Sequence, residues 1–226
     1  MNEILTLAAG SPWADVIRSL PVMLSGLQYT AIISVVSMVI ALLLGWVVTA
    51  MRISRNSAAR AIAFVYVQLF RAFSTYVYVL FIYFGLAAFF KINIPPVEAA
   101  IVALSLLNSA YIAEIYRSAV TNVDPGLQEA AMCTGLSRAQ TFTHAILPQA
   151  ARLAFPSLLN QFIVILRDSS IVGVIGVGDI MFVASKAASV KYLQFQYYTA
   201  VAIIFVLIVF VISRLGDFVE RRLAPP

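Results

Sequence analysis

The side chains able to do chemistry are few, and most of them stand inside apolar runs. Arg71, Asn108, Glu114, Arg117, Arg167 and Asp168 interrupt sequence built largely of Leu, Ile, Val, Ala and Phe. A charge in hydrocarbon is costly, so each of these must face protein or water and find a partner. Glu114 and Arg117 are three residues apart and can pair on one helix face. At the helical rise, Arg71 lies about 15 Å into its run and Arg167 about 25 Å into its own. Carboxylates and guanidiniums so placed supply acceptors for a cation and donors for an anion, which is the chemistry of recognition.

Catalytic sets are missing. His144 is the single histidine and Cys133 the single cysteine. A lone histidine in the long loop reads as a surface residue rather than a catalyst, a single cysteine excludes an intrachain disulfide, and no cluster has metal-ligand spacing. Cys133 reads as a small filler rather than a redox group. A phosphate-binding loop needs Gly-Lys followed by Ser or Thr. None of the three lysines follows a glycine, and Gly173, Gly176 and Gly178 match such a loop only in glycine content. No cofactor or metal is expected on this chain.

The background is that of a membrane protein. Hydrophobic residues make up 62% and charged residues 11%, with mean hydropathy +0.95, against roughly 45–50% and 25% in soluble domains. The net charge of +5 is scattered over loops rather than clustered, which argues for membrane orientation and against a nucleic-acid partner. We expect an all-α, polytopic single domain over 1–226. Its five spans fall at about 24–51, 61–90, 97–120, 150–166 and 197–212, with a long loop at 122–149. The first span exceeds the ~20 residues needed to cross, and Ser34, Ser37, Ala41 and Gly45 along it suit close helix packing. Residues 1–21 lack a basic stretch ahead of their short apolar run. They are expected to form a short amphipathic helix at the outer face, not a cleaved signal. Pro156 should interrupt the fourth span. Glycines after Arg167-Asp168-Ser169-Ser170 should mark a bend and a re-entrant or surface segment covered by protein.

Charge sets the expected orientation. Arg52, Arg55, Arg60, Arg117, Arg138, Arg152, Arg214, Arg221 and Arg222 fall on one side of these spans; Arg18, Lys91, Lys186 and Lys191 fall on the other. The richer side should be cytoplasmic, which puts the amino end outside, the carboxyl end inside and the 122–149 loop in the cytosol. That loop carries its own punctuation. Asp124-Pro125-Gly126 reads as a helix start, Gly135 as its stop, and Ser137 with Gln140 as a capping box for a second helix, which Pro148 should interrupt. Small residues between these signals let another backbone approach, so the loop reads as a docking knob.

Glu129-Ala130-Ala131, three residues, Gly135, then Leu147-Pro148 twelve residues on resembles the coupling loop of permease subunits of binding-protein-dependent ABC importers. Tyr66–Arg71, Phe81–Leu86, Ala110–Arg117 and Arg167–Ser170 resemble the polar amino-acid branch of that family, and the similarity runs from Gly26 to Leu223. The resemblance implies a type I importer permease of the bacterial inner membrane that moves polar or charged amino acids or related small solutes. It implies a second permease subunit, identical or homologous, two cytosolic ATPase subunits that use ATP and Mg, and an extracytoplasmic solute-binding protein. It assigns Gly126, Glu129, Ala130, Ala131, Gly135, Leu147 and Pro148 to ATPase coupling, and Arg167, Asp168, Glu114, Arg71 and Asn108 to the solute path or gate. Leu127 and Ala145 depart from the family pattern. So does Arg71-Ala72-Phe73-Ser74, where the family usually has Arg-Gly-Thr-Pro; without that proline no kink is expected. An ion- or proton-coupled secondary transporter is the alternative, but it would favour inverted repeats and a carboxylate relay. No repeat stands out, and Arg117 beside Glu114 should hold it ionised. A channel would want a polar filter, which is also missing.

Overall fold

The computed structural model describes residues 12–223, and every regular element among them is helical. Helices satisfy their backbone polar groups internally, as lipid requires. In chain order they are α1 (Pro12–Arg52), α2 (Ser57–Ala72), α3 (Thr75–Leu80) running through a π-helical turn (Phe81–Leu86) into α4 (Ala87–Phe90), and α5 (Pro96–Thr121). Next come α6 (Pro125–Cys133), α7 (Arg138–Thr141), a second π-helical turn (Phe142–Ile146), α8 (Leu147–Asp168), a 3-10 helix (Ser169–Ile175), α9 (Ile180–Lys191) and α10 (Gln194–Leu223). Four stretches are long and apolar enough to cross a membrane: Pro12–Arg52, Pro96–Thr121, Arg138–Ile175 and Gln194–Arg221; Ser57–Ala72 with Thr75–Phe90 makes a fifth, broken one. The chain divides into two compact units. One holds the residues up to Ser37, Ser74–Leu104 and Ile165–Val211; the other holds Met38–Phe73, Ser105–Val164 and the residues from Ile212 on.

In the first unit, α1 begins at Pro12 and runs unbroken past Pro21. The separate short helix expected before the first span is therefore part of that span, and residues 1–11 lie outside the described residues. Packing on both sides of the proline holds the helix together. Val16 and Met23 are buried in a cluster with Ile180, Ala184, Ala188, Tyr197 and Val201. The Ser19 and Tyr197 hydroxyls lie 2.8 Å apart, and Tyr197 also donates to the Asp15 carbonyl at 3.3 Å.

The bend expected after Asp168 is the 3-10 helix, which ends on Gly176 at φ 86°. Asp179 then caps α9, accepting from the backbone N–H of Met181 and Phe182. Val172, Ile175, Val177 and Ile180 are buried while Val174 and Gly176 are exposed, so protein covers one side of this apolar glycine-containing backbone and leaves the other open. Gly26 makes the cover possible. A Cβ there would come within 2.8 Å of the Ile180 nitrogen and 2.9 Å of the Asp179 carbonyl carbon.

In the second unit, a stripe along α1 packs on α5. Ala41 is fully buried. Gly45 leaves room for Ile112, whose Cγ2 would lie 2.7 Å from an added Cβ. The Thr49 hydroxyl lies 3.0 Å from the Ala113 carbonyl and 2.8 Å from the Gly45 carbonyl, and can donate to either.

Two proline expectations are corrected. The second span breaks without a proline, because Phe73 (φ −74°, ψ 141°) and Ser74 (φ −71°, ψ 132°) are both extended. Two consecutive extended residues stop helical hydrogen bonding as effectively as a proline ring. Conversely, Pro148 and Pro156 stand inside α8 and do not end it. The π-helical turn immediately before α8 widens the ring of backbone that Pro148 must fit, relieving the clash a proline makes with the preceding turn.

Because the Gly26 clash is with backbone, Gly26→Val should destabilise the protein by about 2 kcal/mol, the usual range for overpacking. Gly178→Ala, whose Cβ would meet nothing nearer than 4.0 Å, should be close to neutral. Thermal unfolding of the two variants in one detergent checks the difference.

Candidate functional site

The loop after α5 folds as its capping signals dictate. The Asp124 side chain accepts from the Gly126 N–H at 2.9 Å and starts α6, with Pro125 in the first turn. Gly135 follows at φ 85°, the left-handed backbone that glycine adopts without strain. Ser137 and Gln140 form a reciprocal capping box: the Gln140 side chain accepts from the Ser137 N–H at 2.9 Å, and the Ser137 hydroxyl accepts from the Gln140 N–H at 3.3 Å. Glu129, Ala130 and Pro148 are exposed, and Ala131 and Leu147 partly so. The helix then continues through the π-helical turn into α8, so the loop is in backbone continuity with a membrane span.

The charged residues of the second unit converge. Glu114 sits between two arginines: Arg117 donates to it from Nε at 2.8 Å and again through its Nη2, and Arg52 from α1 reaches it at 3.3 Å. The Arg52 guanidinium also lies 5.1 Å from the centroid of the Phe64 ring. Arg71 lies over the ring of Tyr111 at 5.5 Å, and the Tyr111 hydroxyl donates to the Arg71 carbonyl at 3.4 Å. Asn108 is buried and accepts from Gln161 at 2.6 Å. Arg71, Tyr111, Glu114 and Gln161 line one cavity of about 420 Å³, together with Ser118, Asn122 and Ser157. The structure thus gathers Arg71 and Glu114 at one cavity, with Asn108 behind Gln161.

Arg167 and Asp168 belong to the other unit. Asp168 accepts from the Thr75 hydroxyl at 3.0 Å, while the Arg167 side chain is exposed. Thr75 therefore holds Asp168, at the point where the broken second span resumes. Three partners escaped sequence reasoning: Arg52 for Glu114, Gln161 for Asn108 and Thr75 for Asp168. Arg52 stands at the end of a long apolar run beside Arg55 and Arg60, which made it look like a loop charge. The periodic small residues leading to it along α1 were the available signal.

Known proteins share the sequence and fold of this chain. The family described as binding-protein-dependent transport system inner membrane component matches residues 38–225, and the chain belongs to it. It is 34% identical over 207 residues to the arginine transport system permease protein ArtQ of Bacillus subtilis (strain 168), covering 92% of this chain and 94% of that protein. It is 33% identical over 212 residues to the glutamine transport system permease protein GlnP of Escherichia coli (strain K12), covering 93% and 97%. The crystal structure of an amino acid ABC transporter with histidines matches at TM-score 0.89 and 34% identity, over 93% of this chain and 98% of that one. An inward-facing MetNI methionine ABC transporter, 22% identical, shares the fold at TM-score 0.71. The chain is accordingly a multi-pass permease subunit of a binding-protein-dependent ABC importer, a transport subunit of the bacterial inner membrane. Nothing in the relatives or the fold favours an ion-coupled secondary transporter.

Glu114 is the shared anion of two guanidiniums, so removing it leaves both charges uncompensated. With the side chains half-buried at 16–36% exposure, Glu114→Ala should cost about 2 kcal/mol, between the range for a surface pair and that for a buried one. Arg117→Gln should cost under about 1 kcal/mol, as a surface pair does, because Arg52 still holds the carboxylate. Unfolding midpoints of both variants test the ordering.

Proposed function

We propose that this chain is half of a translocation path and that the 122–149 loop receives mechanical work from a cytosolic ATPase. The observation that carries this reading is the continuity of the loop with a span. An exposed helix bearing Glu129, Ala130 and Ala131, stopped by a left-handed Gly135, leads through α7 into the uninterrupted run to Ile175. Small exposed side chains allow a partner's backbone close approach, and displacement of α6 passes into a membrane-crossing element rather than into a slack linker. The arginine count of the loop-bearing side supports a cytosolic position.

In this reading two permease subunits, identical or homologous, face each other across the path, each docked on one ATPase. ATP and Mg are bound by the ATPases, and this chain holds no cofactor. An extracytoplasmic binding protein delivers the solute. Closure of the ATPases around ATP draws the two loops together and rocks the helix bundles between inward-open and outward-open states. Gly126, Leu147 and Pro148 shape the two ends of the lever.

The 420 Å³ cavity supports a polar amino acid as the solute. Glu114 is already neutralised by two arginines, so its role is to fix the cavity wall. Arg71, which makes a ring contact with Tyr111 but no ion pair among the described residues, is the donor left to meet a carboxylate. Asn108, through Gln161, adds neutral donors and acceptors. Arg167 and Asp168 serve the gate of the other unit.

Gly135 gives the test. A side chain there meets nothing within 4 Å, yet the backbone is left-handed, at a cost of about 1–2 kcal/mol for residues other than glycine and, to a lesser degree, asparagine. In the reconstituted transporter, Gly135→Leu should cut uptake at least tenfold and abolish stimulation of ATP hydrolysis by loaded binding protein. Gly135→Asn should retain most of both. Unchanged uptake by the leucine variant would contradict the coupling role.

A further inference from the structure

A second cavity, of about 460 Å³, runs between the amino-terminal part of α1 and α9 within the first unit. We propose that it is a binding groove for an anionic phospholipid, whose phosphate meets Lys186 and Lys191 and whose acyl chain lies along the two helices. The inference stands apart from the coupling role of the loop.

Three observations carry it. First, the groove is apolar along its length and cationic towards its mouth. α1 and α9 run antiparallel: Lys191 lies 3.4 Å from Asp15 at one end, and the Ile180 nitrogen packs on Gly26 at the other. Between these contacts Met23 belongs to the buried cluster, Val183 and Ala187 pack on it, and Val22 and Val190 are exposed. The lining holds two lysines and no acid. Asp15 offsets Lys191, but Lys186 is exposed and takes part in none of the ion pairs among the described residues. Lys186 lies about 7.5 Å below Lys191 at the helical rise, close enough for its flexible stem to carry the ammonium towards the headgroups. Arg18, exposed one turn before Val22 on α1, adds a further positive charge.

Second, the mouth lies at headgroup level. Trp13 and Tyr192 are exposed there, and tryptophan and tyrosine collect where membrane meets water. Third, the groove is too narrow for a helix. Phe182 and Lys191, which both line it, are about 14 Å apart at the helical rise, so 460 Å³ corresponds to a channel about 6 Å across. A helix with its side chains needs about 10–12 Å, whereas an extended acyl chain fits.

A groove that opens to hydrocarbon takes a lipid tail whatever the headgroup, so the cations are what select among lipids. A lysine near the surface attracts an anionic headgroup. The choline of a zwitterionic lipid would meet Lys186 with like charge. The width excludes a helix of a second copy. A soluble binding protein would reach the mouth but not Phe182 and Gly178 beneath it.

The experiment titrates the purified importer complex in detergent with phosphatidylglycerol or phosphatidylcholine and reads the bound lipid by native mass spectrometry. The parent should hold phosphatidylglycerol at about tenfold lower concentration than phosphatidylcholine. Lys186→Gln should weaken phosphatidylglycerol binding about fivefold, one lysine's share near an anionic surface, and leave phosphatidylcholine unchanged. Lys186→Arg should behave like the parent. Val190→Trp, which fills the groove from an exposed position, should lower retention of both lipids. Equal retention of the two lipids by the parent would overturn the proposal, as would parental retention of phosphatidylglycerol in both Lys186→Gln and Val190→Trp. Weaker capture of the solute-binding protein by Lys186→Gln, with lipid retention at the parental level, would assign the lysine to a protein partner instead. Should Val190→Trp fail to fold, Lys186→Gln and Lys186→Arg, both changes at an exposed side chain, decide the matter.

Discussion

One carboxylate held by two guanidiniums fixes a wall of the 420 Å³ cavity. Glu114 takes Arg117 from its own helix and Arg52 from the far end of α1. The pair works because the seam leading to it is tight: Gly45 lets Ile112 in, and the Thr49 hydroxyl lies within bonding distance of the Ala113 carbonyl. Small residues four apart on α1 thus bring a charge 62 residues distant onto the Glu114 carboxylate. Arg71 and Gln161 complete a lining whose shape depends on that carboxylate being satisfied from within the protein.

Local signals were legible in the sequence, and distant ones were not. Asp124, Gly135 and the Ser137–Gln140 box act over two or three residues through the backbone they cap, so residue type alone placed them correctly. The i,i+3 pair of Glu114 with Arg117 was readable for the same reason. Arg52 with Glu114 and Thr75 with Asp168 lie 62 and 93 residues apart, and no pattern in the chain links them. Proline misled in both directions. At Phe73–Ser74 two extended residues break a span with no proline present, whereas Pro21, Pro148 and Pro156 sit inside helices that packing and a π-helical turn keep intact.

The loop and the spans carry different physics. In the spans, apolar side chains face outward and small or hydroxyl residues face inward, since lipid gives no hydrophobic drive for helices to associate. In the loop, by contrast, exposed alanines and a left-handed glycine leave backbone accessible. Sequence identity of about a third with amino-acid permeases across nearly the full chain fixes the class of transporter. The residues that line the 420 Å³ cavity present general polar groups rather than a shaped side-chain pocket.

The central claim is that the Ala/Gly loop faces the cytosol, where an ATPase can drive it. Cys133 is the only cysteine of the chain and is exposed at the end of α6, so it reports the loop's side of the membrane without engineering. Permease stripped of its ATPase would be treated with a membrane-impermeant maleimide in right-side-out and in inverted vesicles. Labelling confined to inverted vesicles, and suppressed when purified ATPase is added back, is the predicted result. Labelling in intact right-side-out vesicles would place the loop outside the cell and contradict the account.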